Sequence, residues 1–433
     1  MNKVLKGLTD YINASPSSFH AVMNARKELD EAGFTQIFEC DSWKIKPGGK
    51  YYVLRNDSAV IAFRVPKKEY SGFMITASHS DSPCLKLKEH AEIIAGEKYI
   101  KLSAEVYGGM IFASWLDRPL SAAGRIMVKT EAGVEARFID LKKPVAIIPS
   151  LAIHMNRETN DGYKYKKNVD LVPLFGSGKS KTTLLDMIAK EAGIKKEDIL
   201  GQDIFLYNPM KAEVIGDGSF FSAPRLDDLE CAYTCLNAFI SAKNTGSIQV
   251  YCLYDNEEVG SLTRQGAAAT FLKDVLSRVN ASLSYDEEKY LRALSLSLLL
   301  SADNAHAVHP NFPDICDSNN KCYMNEGIVI KFHASQKYAT DGYSAALFKC
   351  ICDKNKVPYQ TYFNRSDMPG GSTLGNLSNA QVSVATVDIG LPQLSMHSSY
   401  ETAGVKDPEY MVSGVKAFYE TSLVRKGNET VIS

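Results

Sequence analysis

The stretch GFMITASHSDSP, residues 72–83, decides the fold. Its first residues are mostly apolar without strand-like alternation, so the strand they predict must be covered on both faces. Such a strand belongs in the interior of a sheet with helices on either side. It ends abruptly in polar residues, with His79 and Asp81 directly beyond it. In α/β sheets, ligand sites form at the carboxyl ends of strands. A His-x-Asp pair there puts both side chains on one side, so that the imidazole can bind a metal while a carboxylate orients its neighbour. An ordinary polar turn accounts for the same residues.

Working outward, the rhythm of strands and helices predicts an α/β architecture. A helix is expected over 17–32 and strands over 51–54 and 59–65. Beyond about 222, Leu229, Ala232, Tyr233, Leu236, Phe239 and Ile240 repeat at helical spacing. SIQVYCLYD (247–255), GIVIKF (327–332) and QVSVATVDI (381–389) read as strands. Helices are expected over 286–300, 340–353 and 407–424. Between about 90 and 220 the texture changes to short strands and turns, as in KYIKLSAEVYGG (98–109) and AAGRIMVKT (122–130), with one helix in TTLLDMIAKEAG (182–193). The expected organisation is a mixed-sheet α/β domain with helices on both faces, formed by 1–90 and 222–433. A β-rich domain, 91–221, is inserted into it.

Composition narrows the function. The chain has 433 residues, 45% of them hydrophobic, which is too apolar for a disordered protein. Forty-nine basic and 50 acidic residues leave a net charge of −1, a poor match to nucleic acid or an anionic membrane surface. No run approaches the roughly 20 apolar residues of a membrane span, and the opening 22 residues contain no apolar run of signal-peptide length. Nine cysteines, an odd count with no CxxC pair, read as reduced core residues of a cytoplasmic protein. There is no GxSxG elbow, and GSGKSKTT (176–183) lacks the spacing of a phosphate-binding loop.

Further acids and histidines follow apolar segments. APRLDDLE (223–230) carries Asp227 and Asp228 at a helix start, where acids commonly serve as caps. LYDNEEVGS (253–261) crowds Asp255, Glu257 and Glu258 after a strand, an arrangement that is unfavourable unless a cation balances it or the loop is solvated. SADNAHAVHPNFP (301–313) holds Asp303, His306 and His309; the two histidines suit one helix face and a metal, or equally a substrate or a turn. QLSMHSSYE (393–401) places His397 in a polar loop. Individually each has a structural explanation. Together they fit two divalent ions sharing a bridging carboxylate. Imidazoles and carboxylates without thiolate favour zinc, with cobalt and manganese as alternatives.

These motifs then join a longer series. HSDSPCLKLK, SWLDRPLSAAGRI, IPSLAIHM, APRLDDL, YDNEEVGS, DNAHAVHPNF and LPQLSMHS, in that order along the chain, resemble the aspartyl-aminopeptidase-like family of dinuclear zinc metallopeptidases. The resemblance implies a zinc-dependent aminopeptidase. It implies His79, Asp303, Glu258 and His397 as metal ligands, Asp227 as the bridging carboxylate, Glu257 as general base and Asp81 as support for His79. It also implies substrate contacts from His306, Lys331 and Tyr338, and from His154 reaching into a neighbouring subunit. A metallopeptidase domain with an inserted dimerisation domain would assemble into a tetrahedral dodecamer. Lys331 would favour an acidic first residue of the peptide, or instead contact backbone or scaffold. One departure stands out: the family motif often reads RLDN, and here Asp228 makes it RLDD. A dinuclear deacylase or carboxypeptidase on the same fold, or a non-catalytic scaffold, are the rival readings.

Overall fold

The structure, a computed structural model, describes residues 2–243 and 246–433. Its largest sheet has nine strands. From one edge they run Thr35–Gln36, Lys50–Arg55, Ala59–Arg64, Ile248–Tyr254, Phe73–His79, Leu298–Ala302, Ala385–Gly390, Ile328–Phe332 and Tyr359–Phe363. The three strands Ile248–Tyr254, Phe73–His79 and Leu298–Ala302 are neighbours and mutually parallel. All seven residues of Phe73–His79 are buried, as expected of a strand covered on both sides.

Side chains alternate between two cores, one on each face. Met74, Tyr251, Leu253, Leu298 and Leu300 point to one core, against the helices Ser18–Glu31, Leu226–Ser241, Gly342–Asn355 and Asp407–Tyr419. Ile75, Val250, Cys252 and Leu299 point to the other, under Phe271–Ser282. The helices Lys3–Ala14, Phe271–Ser282 and Leu374–Gln381 are additions to the elements expected from sequence.

The helix expected over 286–300 is corrected. Only Glu287–Leu294 is helical, and Leu298–Ala302 is a strand. The run LSLSLLL is apolar enough for either. It becomes a strand because it pairs on both sides, with Phe73–His79 and with Ala385–Gly390. The histidine pair of 306 and 309 is corrected for the same reason. His306 lies in the short strand Ala305–His306 and His309 in the loop beyond it, so they share no helix face.

A second sheet draws its seven strands from Cys84–Ala95 through Ile199–Tyr207. Pairing of Ile199–Tyr207 with Pro119–Lys129 closes it on itself. It has its own core of Leu85, Leu102, Leu120, Ile126, Ile204 and Leu206, covered by the helix Leu184–Ala192. A third sheet joins Glu213–Ile215 and Phe220–Ala223 to Glu401–Gly404, Pro392–Leu394 and Ala305–His306. Among the described residues no helix is long and apolar enough to cross a membrane. None of the nine cysteines, all described, is disulfide-bonded; five are buried, whereas Cys40 is exposed.

Candidate functional site

Three parallel strands end side by side, and each delivers an acid or an imidazole. His79 is the last residue of Phe73–His79, Glu257 and Glu258 follow Ile248–Tyr254, and Asp303 follows Leu298–Ala302. Gly390 permits the last of these: a Cβ there would lie 1.9 Å from the Asp303 carbonyl oxygen. Asp227 and Asp228 enter from the start of Leu226–Ser241 and His397 from the loop before Glu401–Gly404. Neither aspartate caps the helix. Both have non-helical backbone angles, and the peptide between them is cis.

Asp227 lies between the two imidazoles. Its Oδ1 is 3.4 Å from His79 Nε2 and its Oδ2 is 3.3 Å from His397 Nε2. Asp303 Oδ1 and Glu257 Oε2 stand 3.8 Å and 4.0 Å from His79 Nε2. Glu258 Oε2 is 3.4 Å from His397 Nε2. Potential ligand atoms within 4.8 Å of one another fall into groups: His79 with Asp227, Asp228 and Asp303; His79 with Glu257 and Glu258; and Asp227 with Glu258 and His397. All six residues expected to hold or serve a metal pair are therefore gathered at one place.

The donors also fit a cation chemically. Asp227 Oδ1, Asp228 Oδ1 and Glu258 Oε1 are buried without a hydrogen-bond partner. Orphaned carboxylate oxygens are costly in a low-dielectric interior, and a divalent ion satisfies several at once. With protons alone to balance the charge, burial pushes Asp228 and Glu258 far above the usual carboxylate range. Burial, then the neighbouring carboxylates of Asp303 and Asp81, pushes Glu257 up to about 8 against the pull of His79. Asp227 goes the other way: the adjacent imidazoles of His397 and His79 overcome its burial and hold it below the usual range. Burial opposes the charge on His397, but Asp227 and Glu258 raise it to about 10.

The imidazoles are oriented from behind. His79 Nδ1 is 3.0 Å from the Asp81 carbonyl oxygen and 3.4 Å from its Oδ1. His397 Nδ1 is 2.9 Å from the Gly109 carbonyl oxygen. Carbonyls only accept, so each Nδ1 carries a proton, and loss of the second proton would free each Nε2, on the carboxylate side, to bind a metal. Asp81 also accepts from the amides of Glu257 and Glu258, at 3.1 Å and 3.2 Å. Asp228 accepts from the His79 amide at 3.0 Å, which gives the departure from RLDN a definite contact. Glu401 accepts from the amides of Asp227 and His397, at 3.2 Å and 2.8 Å. Sequence reasoning missed Glu401, Tyr107 and the Gly109 carbonyl. Their segments read only as strand and loop, and no spacing signals a contact made across the fold.

The remaining expected residues divide. His306, Lys331 and Tyr338 line the same cleft as Asp227, Glu257 and His397. Lys331 is buried, donates to the carbonyls of Asp303 at 2.9 Å and Asn304 at 3.3 Å, and sits 5.2 Å from the Tyr338 ring centre. Asp255 is buried but lies outside the metal groupings, and the His309 ring packs against Phe312. His154 is exposed on a turn of the second-sheet unit and does not line the cleft of its own chain.

Comparison with known proteins points to the same class of chemistry. The family described as Aminopeptidase I zinc metalloprotease (M18) matches residues 11–419. A protein named probable M18 family aminopeptidase 2, from Clostridium novyi, is 43% identical over 426 residues, covering 96% of this chain and 98% of its own length. Among solved structures, the cryo-EM structure of the Ape4 and Nbr1 complex contains a chain with a TM-score of 0.93 and 35% identity, over 96% of this chain and 85% of that one. The S. cerevisiae mApe1 dodecamer gives a TM-score of 0.85 and 28% identity, over 96% of both chains. With the family matched along nearly the whole length, the chain belongs to the M18 zinc metalloproteases and is an aminopeptidase, a hydrolase of peptide bonds.

Proposed function

We propose that the cleft holds two divalent ions, zinc or alternatively cobalt or manganese, and removes the first residue of peptides. The position of Asp227, one oxygen toward each imidazole, carries the reading of two ions. In it His79 and Asp303 would hold one ion and His397 and Glu258 the other, with Asp227 placed to serve both. When bound, the metal pair supplies Lewis acidity and makes water in the cleft more acidic. Glu257 takes the proton of the attacking water and passes it to the departing amine. Relative exposure supports this division of labour between adjacent glutamates: the Glu257 side chain is 17% exposed and faces the cleft, whereas that of Glu258 is 3% exposed. His306, on the cleft wall, donates to the scissile carbonyl as negative charge develops there. Asp81 holds His79 and the Glu257–Glu258 turn in place.

The positive charge of Lys331 would favour an acidic first side chain. Because its ammonium already donates to two carbonyls, the preference acts through charge more than through a free hydrogen bond. We further propose that 91–221 is a dimerisation domain inserted into a catalytic domain of 1–90 and 222–433. The assembly is a tetrahedral dodecamer in the cytoplasm, in which His154 enters a neighbour's cleft. Three observations support this: the relative solved as a dodecamer, the unpaired cysteines, and the exposed Leu151, Ile153 and Met155 flanking His154.

Glu257→Gln tests the reading directly. It should leave metal content unchanged and lower kcat by roughly 10²–10⁴-fold, the usual span of a general base. Near-normal turnover would show that another group moves the proton. A panel of aminoacyl reporter substrates, run with each metal and at several protein concentrations, reads the residue preference and its dependence on assembly.

A further inference from the structure

One segment that backs the metal groupings does not come from the nine-stranded sheet. The strand Tyr99–Tyr107 of the second sheet ends in Tyr107, Gly108 and Gly109, and these residues reach both halves of the site. The Tyr107 hydroxyl donates to Asp81 Oδ2 at 2.7 Å and accepts from Asn256 Nδ2 at 2.9 Å. Through Asp81 it is tied to His79 and to the amides of Glu257 and Glu258. Gly109 accepts from His397 Nδ1, and the Ile111 amide donates back to the His397 carbonyl at 2.9 Å. Gly108 has a φ of +75°, and a Cβ there would come within 3.1 Å of Glu258 Cβ. A Cβ on Gly109 would lie 3.3 Å from His397 Nδ1. A side chain at either glycine would press on a site residue, which would have to give by a few tenths of an ångström, because the backbone itself is the wall of the site.

Resting on the two-ion reading above, we propose that Tyr107 and the Gly108–Gly109 backbone are positioning groups of the metal centre. The Gly109 carbonyl fixes the tautomer and direction of His397, and Tyr107 fixes Asp81, which in turn aims His79 and the Glu257–Glu258 turn. The side chains that would hold the ions come from the nine-stranded sheet, the helix Leu226–Ser241 and the loop before Glu401–Gly404, and they are aimed in part by Tyr107 and Gly109 of the second sheet. Displacing the second sheet against the first would loosen both positions together. Outer partners of metal ligands commonly change affinity by about 10–100-fold when removed.

Tyr107→Phe keeps the ring and removes the hydroxyl; Gly109→Ala adds one methyl against His397. Zinc affinity is measured by chelator competition on the full chain, with the visible spectrum of the cobalt-loaded protein and the melting temperature of the metal-stripped protein alongside. Tyr107→Phe is expected to weaken zinc about 10–100-fold, and Gly109→Ala to loosen selectively the ion bound by His397 and change the cobalt spectrum. Both should leave the stripped protein melting close to wild type. Unchanged zinc affinity in both variants would overturn the inference, as would losses that appear only alongside a collapsed melting temperature. If the wild-type chain itself takes up no zinc, the two-ion reading fails and this inference with it. A wild type binding two ions beside variants that bind equally well sinks the inference alone.

Discussion

Asp227 presents a different oxygen to each imidazole, while His397 Nε2 faces Asp227 and Glu258. The two residues should therefore fail differently. Asp227→Asn is expected to weaken both metal positions, by more than the roughly 10–100-fold typical of losing an outer partner. His397→Gln should empty one position and spare the other. Metal analysis after equilibrium dialysis distinguishes them: the first variant loses both ions together, the second retains one. Equal stoichiometry in the two variants would remove Asp227 from its bridging role. His79 and Glu258 were legible before the fold was known because each follows an apolar strand, as His79 follows GFMITAS, whereas Asp227 at a helix start and His397 in a polar loop stood out only through the family resemblance. Glu401 was not legible, although it lies four residues from His397, because its contacts are backbone amides brought together only by the third sheet. Asp228 read as a helix cap for a similar reason: its partner, the His79 amide, is 149 positions away.

At the scale of elements, the two-sided burial that identified Phe73–His79 also governs its neighbour Leu298–Ala302, yet only the first was recognisable. GFMITAS is bounded by a glycine and a polar turn, whereas LSLSLLL continues an amphipathic helix and shares its leucines. A short apolar run next to a helix cannot be assigned by periodicity alone. Pairing decides it, and pairing is not local. The assignment has an energetic consequence. Leu300 is fully buried in the core under Leu226–Ser241, in the strand whose end carries Asp303. Leu300→Ala should destabilise the metal-stripped protein by about 2–5 kcal/mol, read as a lowered denaturant midpoint with an unchanged slope. A loss below about 0.5 kcal/mol, the scale of ordinary surface substitutions, would mean that the strand is not the packed centre its burial implies.

For the whole molecule, a net charge of −1 conceals a strong internal asymmetry. Asp81, Asp227, Asp228, Glu230, Asp255 and Glu401 are each less than 5% exposed, six acids set against Arg225 and the imidazoles of His79 and His397. Lys331 donates to the Asp303 and Asn304 carbonyls and has Asp303 Oδ2 at 3.7 Å. Such a cluster is stable only if protons or metal ions neutralise it, so metal and pH must be linked. Burial raises Glu257 and Glu401 to about 8 from an ordinary value of 4.5. Between these limits the folded, metal-stripped chain binds more protons than the unfolded chain. Its stability therefore falls as pH rises from about 4.5 to 8, because folding then retains protons that the solution withdraws. Bound metal replaces those protons and removes the penalty. Melting curves of stripped and zinc-loaded protein should separate progressively over this window, the stripped form losing stability toward pH 8. Zinc added to the stripped protein at pH 7 should release protons, detectable with a pH indicator in weak buffer. A constant gap between the two melting temperatures, with no proton release, would mean that the carboxylates are already ionised and balanced by the protein alone.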